Sequence, residues 1–274
     1  MKKEQFYEKL SIEPATKAII GLVEEKTEKD FDFIDKPDLA VSASVKIARS
    51  FMPSHIVAFK RRDSHRLSHL IAHECGHILR YYSVPIEKRV IPVSYEEHRQ
   101  RANNLLERTE RKKLNKLPPD VAIKLKGMWI HGIVRQLTNL PVDYRIETWL
   151  YNDYPDLRPS QKLSLDADYS DALAGTSARI EKITPDLIQK KSILMSSAFY
   201  AAIDTKLDTT YSKGFEKYSK GGFYNSLVMA LQEEDQGFDQ DIRIIGEWAE
   251  TLNLRDWFAW GAFENVPENY ANIF

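Results

Sequence analysis

The stretch "LIAHECGHILR", residues 70–80, places His73, Glu74 and His77 in the order H-E-x-x-H. On a helix, residues four apart lie on one face, one turn above the other, so the two imidazoles can reach a single ion. Zinc accepts nitrogen ligands at ~2.0–2.1 Å and favours tetrahedral geometry. Glu74 follows the first histidine and projects beside such an ion. There it can take a proton from a zinc-bound water and deliver it to a leaving amine. Gly76 removes a side chain next to the site and lets another element come close. Cys75 falls on another side of the helix and reads as buried packing, not as a ligand. The bland alternative is a helix that happens to carry two histidines. At this histidine content roughly one chain in a hundred would contain the motif by chance, but a long apolar-faced helix after a strand is the setting in which the motif works.

Just upstream, "SHIVAFKRR" has the β-branched and aromatic run of a strand. "RDSHRLSHLIAHECGHILRYYSV" then reads as one helix. Asp63 or Ser64 is its candidate N-cap, Leu67, Leu70, Ile71, Ile78 and Leu79 its apolar face, and Pro85 its stop. His65, His69, His73 and His77 form an unbroken i, i+4 ladder. His69 lies close to the motif's face, where it either bonds near the site or faces solvent; His65 reads as solvent-facing.

Two histidines leave a catalytic zinc one protein ligand short. A third histidine in the form H-E-x-x-H-x-x-G-x-x-H is absent, because Arg80 and Ser83 occupy its last two defining positions. The best remaining source is "LTNLPVDYRIETWLY", residues 137–151. It sets Asp143 and Glu147 four apart on an expected helix, in apolar surroundings where unpaired carboxylates are costly. The competing reading pairs these acids with Arg135 or Arg145, or leaves them exposed.

These residues resemble the zincin metallopeptidases. "HECGH" is the zincin motif, and "NLPVDYRIE" is similar to an N-x-x-x-D-x-x-I-N/E segment that follows H-E-x-x-H in some uncharacterised bacterial metallopeptidase-like proteins. The resemblance covers only the core of the fold. It implies an α+β, predominantly helical chain with a zincin-like core and a small mixed sheet. It favours Asp143 as third ligand, with Glu147 orienting His73 or His77, though the longer glutamate could reverse the two roles. It also implies that "SHIVAFKRR" is the edge strand lining the cleft, and that a tyrosine or histidine steadies the oxyanion. Tyr144, Tyr151, Tyr154, His131 and Tyr211 are the candidates, and each reads first as a structural side chain.

Along the rest of the chain, "DLAVSASVKIARS" is ambiguous between helix and strand. Residues 86–127 are highly charged and read as a solvated helical insertion ending near Pro118-Pro119. Residues 120–155 give one or two helices, with Pro141 at a start or a kink. "YSKGFEKYSKGGFYN" reads as a glycine-bearing loop. The expected division is a core over 1–155 and a helical region over 156–274 that can pack on the same core.

Of 274 residues, 43% are hydrophobic and 29% charged, and net charge is −1, so there is no basic excess to hold nucleic acid. A lone cysteine excludes an intrachain disulfide, and no run reaches transmembrane length. The expectation is a cytoplasmic zinc peptidase acting on peptide or protein, with no nucleic-acid or membrane partner. The alternatives are an inactive metal-binding scaffold with a regulatory role, or a helical interaction protein with an accidental motif.

Overall fold

Two helices open the chain, α1 (Lys3–Lys9) and α2 (Pro14–Thr27). Pro14 starts the second, where the missing N–H has no intrahelical partner to lose. Three strands follow: β1 (Asp30–Asp35), β2 (Ala43–Lys46) and β3 (Ser54–Phe59). They form a small mixed sheet in the order β1-β3-β2, with β1 parallel and β2 antiparallel to β3. The structure, a computed structural model, describes residues 1–267.

This topology corrects one expectation. "SHIVAFKRR" does supply a strand, but β3 is the central strand and not the edge. Its burial agrees: Ser54, His55, Val57 and Phe59 are all buried, as a strand flanked on both sides requires. The edges are β1 and β2, and β2 comes from the segment that the sequence left ambiguous.

The motif helix is α3 (Leu67–Tyr82). A 3-10 turn over Arg61–Arg66 precedes it and takes Asp63 and Ser64 out of the capping position, which Arg66 fills. Leu67, Ile71, Ala72, Cys75 and Ile78 are buried, and Leu70 and Leu79 half-buried. The charged segment folds as β4 (Val90–Val93), α4 (Glu96–Thr109), α5 (Arg111–Leu114) and the start of α6 (Pro119–Asp153). α6 is a single helix of 35 residues that runs through Pro141, which removes one N–H and leaves the Leu137 carbonyl without its helical donor.

The chain then adds α7 (Arg158–Ala174), α8 (Ala178–Ile183), α9 (Asp186–Leu207), α10 (Gly222–Gln232) and α11 (Phe238–Thr251). The expected glycine–tyrosine loop is a 3-10 turn, Tyr211–Tyr218, running into α10. A last strand, β5 (Ala259–Ala262), pairs antiparallel with β4. Buried apolar side chains from Phe6 to Val266 belong to one cluster. Arg80, which stands where the longer zinc motif has glycine, clamps α11 to α3: its guanidinium donates to Asp241 at 2.6 and 2.7 Å and to Asp235 at 2.7 and 2.9 Å. No helix among the described residues is long and apolar enough to cross a membrane.

His55, on β3, makes a testable contribution to stability. Its Nδ1 accepts the Ala48 N–H (3.0 Å) and its Nε2 lies 3.1 Å from Thr27 Oγ1, so the ring is buried as neutral imidazole. Burial, helped by the charge of Lys29, pulls its pKa down to about 3. The unfolded chain therefore takes up this proton below about pH 6.5 while the folded chain does not, and stability falls with pH across that window. From pH 7 to pH 4 the loss due to His55 is about 3 kcal/mol. In urea unfolding, His55→Gln should lose that much less over the same interval. An acid limb identical to wild type would refute the assignment.

Candidate metal centre

α3 and α6 run antiparallel past each other, and their facing i, i+4 rows meet. On α3 the row is His69, His73, His77; on α6 it is Asp143, Glu147. The helices come this close because Gly76 has no side chain. A Cβ there would lie 2.6 Å from Ile146 Cγ2 and 3.0 Å from its Cγ1, and Ile146 belongs to the same helix as the two carboxylates. Gly76→Ala should therefore push α6 outward, costing ~1–3 kcal/mol and weakening metal binding even though no ligand is touched. Adding Ile146→Ala should restore the affinity but not the stability. Chelator competition and thermal melts on the single and double variants check this.

His73, His77 and Asp143 converge. Asp143 Oδ1 lies 3.4 Å from His73 Nε2 and 3.2 Å from His77 Nε2. This oxygen is buried yet makes no hydrogen bond, so the imidazole nitrogens are near it without being aligned to donate to it. Donor atoms around a tetrahedral ion with ~2.0–2.1 Å bonds stand roughly 3.3 Å apart, which is the spacing found here. The three groups have the donor chemistry and the separation of a metal site, and each offers one ligand atom within 4.8 Å of the others.

Glu147 is arranged differently. Its Oε1 lies 2.7 Å from His73 Nδ1 and its Oε2 3.0 Å from His69 Nε2, while Gln161 Nε2 donates to the same Oε2 at 2.6 Å. These are hydrogen-bond lengths, and both carboxylate oxygens are satisfied. A carboxylate only accepts, so His73 donates through Nδ1 and presents Nε2 toward Asp143 and His77. His69, Glu147 and Gln161 thus hold the ring of His73. Gln161 had no signature in the sequence; it belongs to α7, 14 residues beyond Glu147. His69 is buried and bonded, while His65 is exposed. Neither carboxylate pairs with Arg135 or Arg145; the Arg145 guanidinium instead donates to the Glu233 carbonyl.

The electrostatics follow the contacts. Burial alone would push the Asp143 carboxyl up, but His73 and His77 override it and bring it down to about 2. Burial also opposes ionisation of Glu147, yet His69 and His73 hold it below the ordinary carboxylate range. His73 is pulled down by burial and lifted well above its usual value by Asp143 and Glu147. Glu74, buried and without such bonds, is pushed up by its burial, which the two motif histidines only partly offset.

All these groups open onto one cavity of about 910 Å³, which Glu74 also lines. Residues 40–43, leading into the β2 edge, form part of its rim, and Arg66 Nη2 ties that rim to α3 through Ser42 Oγ at 2.8 Å. On α7, Asp168 faces the cavity, its carboxyl pushed up to about 6 by burial and by the charge of Glu147. None of the five expected oxyanion partners, Tyr144, Tyr151, Tyr154, His131 or Tyr211, lines it. Tyr200 of α9 does, with Arg135 and Asn139 of α6. Residue type alone could not choose among these candidates, because the faces of α6 and α9 that reach the cavity depend on how they pack.

Fold and site together define a predominantly helical α+β chain with a buried His/His/carboxylate group that can hold a metal ion. No protein-family model, no curated protein and no solved structure matches it.

Proposed function

We propose that the chain is a zinc-dependent peptidase of the zincin kind. The observation that carries this reading is the placing of Glu74: a buried carboxylate in the same cavity as His73, His77 and Asp143, free of the bonds that tie up Glu147. Two imidazoles and one carboxylate suit zinc and leave a fourth position open. When bound, zinc supplies an acidified water and polarises a carbonyl.

The protein's own groups do the rest. Glu74 takes the proton of the attacking water at its carboxylate and returns it to the leaving nitrogen. Its raised pKa brings it nearer to neutrality, which suits a group that must both accept and give. Glu147, braced by His69 and Gln161, fixes the ring of His73. β2, an edge of the sheet among the described residues, offers main-chain groups to which an extended peptide can add as a further strand.

The test is metal analysis followed by digestion. The purified chain should carry one zinc, cleave a denatured protein into new peptides, stop on chelation and resume when zinc is returned. A chain with one zinc that leaves every substrate intact would identify a binding scaffold instead. Iron in place of zinc would overturn the choice of metal, while loss of cutting on chelation would still test the hydrolysis.

A further inference from the structure

The cavity does not end at the metal centre. It continues as a trough among α6, α7 and α9, and its lining residues on α6 step back from Asp143 as far as Trp129 and Met128. At 1.5 Å per residue this is about 21 Å along the helix. α7 lines it from Leu165 to Gly175 and α9 from Ile188 to Tyr200, about 15 and 18 Å by the same rise. The walls are tied together: Gln136 Nε2 donates to Ser192 O and Ser196 Oγ, and Gln189 Nε2 donates to Gly175 O.

The lining changes along this length. On the way back from the centre Asn139, Arg135 and Ser192 offer polar groups beside the apolar Leu140, Leu165 and Phe199, and such polar groups suit the amides of a peptide rather than an acyl chain. At the far end the apolar side chains of Met128, Trp129, Ile133, Ile180 and Ile188 gather, with Thr184 and Gln189 beside them. Met128 is 59% exposed, a large apolar side chain left uncovered inside a concave wall. An extended peptide advancing ~3.4 Å per residue covers the ~21 Å in about six residues.

We infer that the trough selects its substrate: an extended peptide carrying an apolar side chain about six residues from the bond to be cut, seated in the far apolar end. This rests on the peptidase reading and narrows it to chains long enough to span both places. Short peptides reach the metal centre without the distant anchor and lose the binding energy that it contributes.

The zinc-loaded full chain is used to digest a mixture of denatured proteins, and the cut sites are read by mass spectrometry. Ile, Leu, Met or Phe should be enriched at one position five to seven residues from the cut, on one side only. A cleaved peptide shortened to lose that residue should fall about tenfold in kcat/KM. Met128→Glu, at an exposed position where folding is not at stake, and Trp129→Ala should each flatten the enrichment. Cutting with no preference beyond four residues, or an enrichment that survives both substitutions, overturns the inference and leaves the peptidase reading intact. A chain with zinc bound and no cutting at all overturns both.

Discussion

Glu74→Gln is expected to keep one zinc per chain and to lower peptide hydrolysis by about 10²–10⁴-fold, the usual contribution of a positioned general base. The substitution changes one atom type in a buried side chain of nearly the same volume, so packing around α3 is retained. The proposed metal donors are on His73, His77 and Asp143, and no hydrogen bond joins Glu74 to them, so zinc affinity should stay within a few fold. The glutamine amide cannot accept the water's proton or hand it on, so the loss should appear in kcat more than in KM. Stability should be unchanged or slightly higher, because burial already works against the charged carboxylate at this position. If the Gln variant cut as fast as wild type with zinc bound, Glu74 would not be the base, and the wall residues Asp168 and Tyr200 would be next to examine.

Much of this centre could be read from spacing. The i, i+4 rule put His73 and His77 on one face, and it put Asp143 and Glu147 on another, 66 residues later. Each row is local, set by one helix. The pairing of the rows is not local. It depends on the level at which α6 crosses α3, and that level is fixed by the absence of a Cβ at Gly76 against Ile146. The glycine signalled that something comes close, but not what.

The edge strand shows the same limit. Alternation and β-branching identified β3, yet whether a strand is central or at an edge depends on partners that alternation does not name. The four residues of β2 were too few to announce themselves. The C-terminal helices were legible as helices from their period, while their part in the cavity, through Asp168 and Tyr200, and the bond of Gln161 to Glu147 came only from packing between distant segments. An oxyanion partner could not be chosen for the same reason, since residue type along a helix does not say which face turns inward.

Asp143 and Glu147 look alike in sequence and should behave differently when changed. Asp143→Ala removes a ligand and should weaken zinc binding by 10³-fold or more, since two imidazoles alone hold the ion poorly; no zinc should co-purify. Glu147→Gln leaves all three ligands in place. It removes the anion that fixes the Nδ1 proton of His73, and losing such a partner typically costs 10–100-fold in affinity. It also brings a new NH₂ into a pocket where His69, His73 and Gln161 all point donors. At least one donor then has no acceptor, so the zinc-free protein should itself lose ~1–3 kcal/mol. Chelator competition for the metal and urea unfolding of the zinc-free chain give the two measurements. The opposite pattern, with zinc kept by Asp143→Ala and lost by Glu147→Gln, would make Glu147 the ligand and Asp143 its support. The 2.7 Å and 3.0 Å bonds of Glu147 argue against that, because they hold its two oxygens at His73 Nδ1 and His69 Nε2, whereas Asp143 Oδ1 is the oxygen beside the Nε2 atoms of His73 and His77.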